Sequence, residues 1–142
     1  MKGKVVFVLI AIVVLLLAAA LPAFAKTIHG HEGGDILRGT KYADRIFGAQ
    51  GKDSIFGWES GDDLRGNAGS DTIHGGKSDD YVKGARGFDR LNGNDGNDSI
   101  WAWDDERQRD VVNGGPGYDR AYVGTNDVVK NVEKTTLHPR YR

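Results

Sequence analysis

The chain has 142 residues, 39% of them apolar and 27% charged, with a net charge of −1 and no cysteine. That length holds a single domain of ordinary size. The lack of cysteine excludes disulfide bracing, thiolate metal sites and a lipid-modified N-terminal cysteine, and so mild and mixed a charge excludes the basic surface that nucleic acid requires.

Lys2 and Lys4 open the chain, and Val5 to Leu21 follows as 17 apolar residues without a break. Pro22 and the small-residue pattern Ala23-Phe24-Ala25 come next. A charged start, an apolar run and an A-x-A site mark residues 1–25 as a secretory signal peptide cut after Ala25. The competing reading is an uncleaved anchor, since the run is just short of a spanning helix. With cleavage, the mature chain from Lys26 is a secreted, extracellular protein with no stable membrane insertion. It carries 17 basic and 20 acidic residues, a net charge of −3.

From Thr27 to Asp98 the sequence falls into eight consecutive nonapeptides, TIHGHEGGD, ILRGTKYAD, RIFGAQGKD, SIFGWESGD, DLRGNAGSD, TIHGGKSDD, YVKGARGFD and RLNGNDGND. The second position is Ile, Leu or Val, the fourth is Gly and the ninth is Asp in every block. Self-similarity at a fixed short period marks a solenoid. In each block the segment around the second position sends one apolar side chain inward and its two neighbours outward, a very short strand. The other six residues, rich in Gly and Asp, have turn chemistry.

One nonapeptide cannot bury its apolar residue alone, so two back to back make an 18-residue coil with two strands and two turns. The seventh position supports this unit, because Gly recurs there at 33, 51, 69 and 87 with other residues between, up to Gly96. The expected fold is an all-β parallel β-roll, a β-solenoid of five to six stacked 18-residue coils. Two interior ladders follow, Ile28, Ile46, Leu64, Val82 and Ile100 on one side, and Leu37, Ile55, Ile73, Leu91 and Val112 on the other. So thin a seam does not clearly offset the entropy of ordering each coil, and the turns need a further source of stability.

At residues 99–110, SIWAWDDERQRD, the register breaks; this block is three residues longer and has Ala102 in place of the fixed Gly. It is expected to be a repeat carrying an inserted loop. VVNGGPGYD, residues 111–119, resumes the pattern, which fades out by Asp127. The repeat region is therefore 27–127, and 128–142 is a C-terminal cap and tail. VVKNVEKTTL suits a final strand, and 120–137 is expected to cover the open apolar end.

The turn G-x-x-x-x-D followed by x-U-x resembles the G-G-x-G-x-D-x-U-x nonapeptide of the hemolysin-type, or RTX, calcium-binding family. GNDGNDSI at Gly93–Ile100 and GGPGYDRAY at Gly114–Tyr122 come closest. The resemblance implies a β-roll that holds calcium in rows between successive turns on the same edge, through Asp carboxylates and backbone carbonyls. It assigns Asp35, Asp53, Asp71 and Asp89 to one row, and Asp44, Asp62, Asp80, Asp98 and Asp119 to the other. The carbonyl donors would come from the turns at Gly30, Gly39, Gly48, Gly57, Gly66, Gly75, Gly84, Gly93 and Gly114. The family's second Gly survives only as Gly76 and Gly115, and its third is lost at Tyr42, Ser60 and Ser78. The turns Thr40–Asp44 and Gly57–Asp62 are therefore expected to bind least well.

Independently of the resemblance, stacked coils put carboxylates within about 5 Å of each other along each edge, a repulsion that a hard divalent cation relieves. Asn would close a turn as well as Asp, yet the ninth position is always Asp, so the charge itself is used. Neighbouring Lys and Arg are the rival source of neutralisation. His29 and His74 are expected on opposite sheets, which argues against a transition-metal site. No nucleophile–base pattern or phosphate loop is present, and the expected role is calcium binding by a non-enzymatic protein. The alternative is a surface or matrix adhesin with the roll as scaffold. Trp58, Trp101, Trp103, Phe47 and Phe56 could then form a platform, with Trp101 and Trp103 the contact for a carbohydrate or cell-surface partner.

Overall fold

The computed structural model describes residues 24–103 and 108–138 and forms thirteen short strands. The proposed signal peptide up to Ala23 and the charged core of the inserted loop, 104–107, lie outside the described residues. Among those described, no helix is long and apolar enough to cross a membrane.

The strands alternate between two parallel sheets. The first contains β1 (Thr27–His29), β3 (Arg45–Gln50), β5 (Asp63–Ala68), β7 (Tyr81–Arg86), β9 (Ser99–Trp101), β11 (Arg120–Val123) and β13 (Lys134–Leu137), in that order. The second contains β2 (Ile36–Arg38), β4 (Ser54–Trp58), β6 (Thr72–Lys77), β8 (Arg90–Asp95), β10 (Val111–Asn113) and β12 (Val128–Lys130). Each strand therefore pairs with the strand one coil away, and the fold is a parallel β-solenoid of about six coils of 18 residues.

Both interior ladders form in the expected register. Ile28 pairs with Ile46, Ile46 with Leu64, Leu64 with Val82, and Val82 with Ile100. On the other sheet Leu37, Ile55, Ile73, Leu91 and Val112 follow one another in the same way. From Ile46 to Val112 these side chains are wholly buried, whereas Ile28, Leu37 and Val129 at the ends are only partly covered. Each coil thus adds two apolar ladder side chains to a narrow seam.

Two features differ from expectation. The central strands run to six residues, as in Arg45–Gln50, because the segment after the fixed Gly keeps pairing with the next coil, Ala49 with Asn67 and Gln50 with Ala68. The turns are correspondingly tighter than the six residues assigned to them. Among the described residues, β11, β12 and β13 continue the two sheets, and the expected single final strand is two, one on each sheet. Thr135 stands where the ladder has an apolar residue, and all four residues of β13 are exposed. The roll ends by becoming polar.

Close stacking explains the seventh-position glycines. A Cβ added at Gly69, where φ is +136°, would lie 1.6 Å from the carbonyl oxygen of Gly51. Neither the backbone conformation nor the adjoining coil admits a side chain. Gly69→Ala is expected to destabilise the roll by at least about 3 kcal/mol, combining left-handed strain with overpacking against backbone; chemical denaturation measures it. Gly33→Ala, where a Cβ meets nothing within 4 Å, should cost only the strain.

Candidate metal centre

The ninth-position aspartates point into the roll. Asp44, Asp53, Asp62, Asp71, Asp80, Asp89, Asp98, Asp110 and Asp119 are all buried, at 0–3% exposure. They form two columns along the two edges between the sheets. In the first, the backbone N–H of Asp35 donates to Oδ1 of Asp53 at 2.8 Å, that of Asp53 to Asp71, Asp71 to Asp89, Asp89 to Asp110 and Asp110 to Asp127. In the second, Lys26 donates to Asp44, and the relay runs through Asp62, Asp80, Asp98 and Asp119 to Oε2 of Glu133. Each carboxylate thus ties its own coil to the one before it.

This arrangement brings together every aspartate singled out in the sequence and adds three residues. Asp110 and Asp127 extend the first column, and Glu133 closes the second. Asp110 and Asp127 were visible as ends of the pattern. Glu133 was hidden because the last turn is shortened; the only signal was an acidic residue directly before the x-U-x segment Lys134-Thr135-Thr136.

One oxygen remains to be accounted for in six of these carboxylates. Oδ2 of Asp53, Asp62, Asp71, Asp80, Asp98 and Asp119 is buried and has no hydrogen-bond partner. These atoms lie beside the fixed glycines, together with a carbonyl oxygen of the next coil. A Cβ added at Gly48 would stand 2.4 Å from Asp53 Oδ2 and 2.5 Å from the Gly66 carbonyl oxygen. At Gly57 the corresponding distances are 2.3 Å to Asp62 Oδ2 and 2.4 Å to the Gly75 oxygen, and at Gly75 they are 2.3 Å to Asp80 Oδ2 and 2.5 Å to the Gly93 oxygen. Gly66 with Asp71 and Gly84, Gly93 with Asp98 and Gly114, and Gly114 with Asp119 and Asn131 repeat the pattern. Each of these Oδ2 atoms thus lies near a carbonyl oxygen of the next coil while no donor reaches the carboxylate oxygen itself. The cradle is kept open because the fixed position is Gly, and any larger residue would fill it.

The first coil differs. The His31 N–H donates to Asp35 Oδ2 at 2.7 Å, and both the N–H and the hydroxyl of Thr40 donate to Asp44 Oδ2. In later turns the residue after the fixed Gly takes positive φ, at Ala49, Trp58, Asn67, Gly76, Ala85, Asn94 and Gly115. His31 and Thr40 stay outside that region, which a β-branched residue such as Thr40 strongly resists. The Gly57–Asp62 turn, by contrast, adopts the same form as its neighbours despite Trp58 and Ser60, and its Oδ2 is likewise unpartnered.

Burial without a donor has an electrostatic consequence. Desolvation raises the pKa of Asp62, Asp71 and Asp98 to about 6 against a lowering by the backbone N–H that each accepts; the Asp44, Asp53 and Asp119 charges respectively add to the rise. Asp80 is pushed to about 8, by burial first and then by the neighbouring charges of Asp98, Asp62 and Asp79. Asp119 is also raised, mainly by burial. Among the described residues, basic side chains do not relieve these five carboxylates: the Arg65–Asp63 pair at 2.9 Å and the Lys77–Glu59 pair at 3.9 Å lie on the outer faces of the sheets. A groove of about 650 Å³ bordered by Asp44, Asp62, Asp63, Asp79 and Asp80 opens the second column toward solvent.

Among the described residues no three His, Cys, Asp or Glu side chains gather as a metal-binding group, so a cation in the columns would draw part of its shell from backbone carbonyls. A donor set made only of oxygens, anionic and carbonyl, suits a hard cation of variable coordination number. His29 on β1 and His74 on β6 do lie on opposite sheets. Trp101 stacks on Tyr122 at 4.1 Å with Tyr81 tilted against it, and Trp103 stacks on His138 at 3.7 Å, so both rings pack within the chain.

No curated protein and no solved structure matches the chain. The family model for the RTX calcium-binding nonapeptide repeat (four copies) matches it three times, over residues 29–64, 59–91 and 84–121. With inward carboxylate columns, glycine cradles and a nonapeptide register running through all three matches, the chain belongs to the RTX calcium-binding nonapeptide repeat family.

Proposed function

We propose that this is a secreted, non-enzymatic calcium-binding protein in which calcium completes the fold. The observation that carries the reading is the set of buried Oδ2 atoms that no donor reaches, each near a carbonyl oxygen of the next coil. Folding without a cation either buries charge beside an acceptor or takes up a proton at each turn. A divalent ion removes both costs. The ligands would be Asp53, Asp71 and Asp89 in one column and Asp62, Asp80, Asp98 and Asp119 in the other, with carbonyls from the turns at Gly48, Gly57, Gly66, Gly75, Gly84, Gly93 and Gly114. Asp35 and Asp44 would contribute least, because turn amides already occupy their Oδ2 atoms.

Binding to the folded state alone stabilises it by mass action. Titrating the chelated mature chain with calcium, followed by calorimetry and circular dichroism, should show β-sheet signal and melting temperature rising with ion uptake and lowered again on chelation. Full β-sheet content without calcium, and a melting temperature that millimolar calcium leaves unchanged, would leave a cation-independent solenoid.

A further inference from the structure

Trp58 is out of place by the rules of the roll. It sits directly after a fixed Gly, at φ +88°, in the left-handed region. The equivalent positions of the next two coils on the same sheet hold Gly76 and Asn94, residues suited to that backbone. Trp58 gains little burial in compensation, since 56% of it is exposed. A strained, exposed aromatic that packing does not explain points to a ligand.

Its surroundings show which kind. Trp58, Gly76 and Asn94 stand in register on β4, β6 and β8, and all three line a gap in the outer surface. Beside the gap Phe56 and His74 stack with parallel rings, centroids 5.2 Å apart. Lys77, paired with Glu59 across the coil below, and Asp95 form the rim. The groove encloses about 360 Å³, within the range of small-ligand sites. Its floor is aromatic. The polar groups at its margin are an amide, an imidazole and charges of both signs, which supply donors and acceptors without a net field.

We propose that this groove, formed by Phe56, Trp58, His74, Gly76, Asn94 and Asp95, binds a pyranose ring of an uncharged carbohydrate. A sugar ring offers an apolar C–H face to an aromatic ring and hydroxyls at its perimeter to planar polar side chains. Charges of both signs at the rim disfavour a polyanionic chain. The site lies on the outer face of the second sheet, includes none of the column aspartates in its lining, and does not rest on the calcium reading. It also differs from Trp101 and Trp103, whose rings are stacked within the chain.

The test is titration of the mature chain, in saturating calcium, with tetrasaccharides of β-linked glucose, N-acetylglucosamine and galactose, followed by calorimetry and by the NMR signal of the Trp58 indole N–H. At least one should bind and shift that signal. Trp58→Asn should lower its affinity at least about tenfold while leaving the circular dichroism unchanged, because Asn already occupies the equivalent positions Asn67 and Asn94. Trp103→Ala should leave the affinity as it was. Binding of none of the three, binding retained in Trp58→Asn, or binding only of a sulfated probe overturns the proposal. A roll that ignored calcium yet bound sugar would refute the calcium reading alone.

Discussion

Asp80→Asn is expected to raise the melting temperature in chelator and to lower it in millimolar calcium. In the calcium-free roll, Asp80 Oδ2 faces the Gly93 carbonyl oxygen near Gly75 with no donor between them. An Asn there keeps the Oδ1 acceptor for the Asp62 N–H and turns the second atom into a donor aimed at that carbonyl. Removing an unsatisfied buried acceptor is worth about 1–3 kcal/mol, roughly 5–15 °C for a domain of this size. In calcium the same change removes one of the proposed charged ligands, and stability should fall. Asp71→Asn should behave alike, whereas Asp35→Asn should change little in either buffer, because His31 already satisfies its Oδ2. Melting curves of the three variants in both buffers decide it. A drop for Asp80→Asn in chelator as well as in calcium would reduce the carboxylate to a strut between coils.

The second large effect is on pH. A carboxyl whose pKa is higher in the folded than in the unfolded chain favours folding when it is protonated. Its contribution is fully present below the unfolded value near 4 and is lost as pH rises through the folded value. With Asp62, Asp71 and Asp98 at about 6 and Asp80 at about 8, the calcium-free roll should gain stability as pH falls from 8 toward 4. With calcium present the proton is a competitor, and the calcium concentration needed for half-folding should rise over the same window. Circular dichroism at pH 5 and pH 8, with chelator and with calcium, shows both trends. A calcium-free chain less folded at pH 5 than at pH 8 would contradict the burial of these groups.

The sequence showed which residues are equivalent and left open how equivalent residues are oriented. The ladders of Ile46, Leu64 and Val82 and of Ile55, Ile73 and Leu91 could be read from spacing because an apolar residue flanked by polar ones in a strand has one sensible direction. The ninth position carries no such constraint. An Asp in a turn suggests a side chain bonding its own loop, and only stacking shows that it points inward to take an amide from another coil. Strand length was misjudged for a related reason. Gly at the fourth position reads as the start of a turn, yet Gly48 and Ala49 stay within β3, held by pairing with the next coil. Glu133 escaped notice because the final turn departs from the period that made the others visible.

The described chain enters at one end of the roll with β1 and β2 and leaves at the other with β12 and β13, and each coil pairs with its neighbours. A pull on the termini would therefore act along the stack and peel coils away one after another, instead of shearing the sheets as a whole. Each detached coil of 18 residues would release about 60 Å of contour, at roughly 3.4 Å per residue. The carboxylate–amide link between successive coils lies at each step of that peeling. An ion held there would set the force at which each step gives way, making the roll a spring whose stiffness follows the calcium around it.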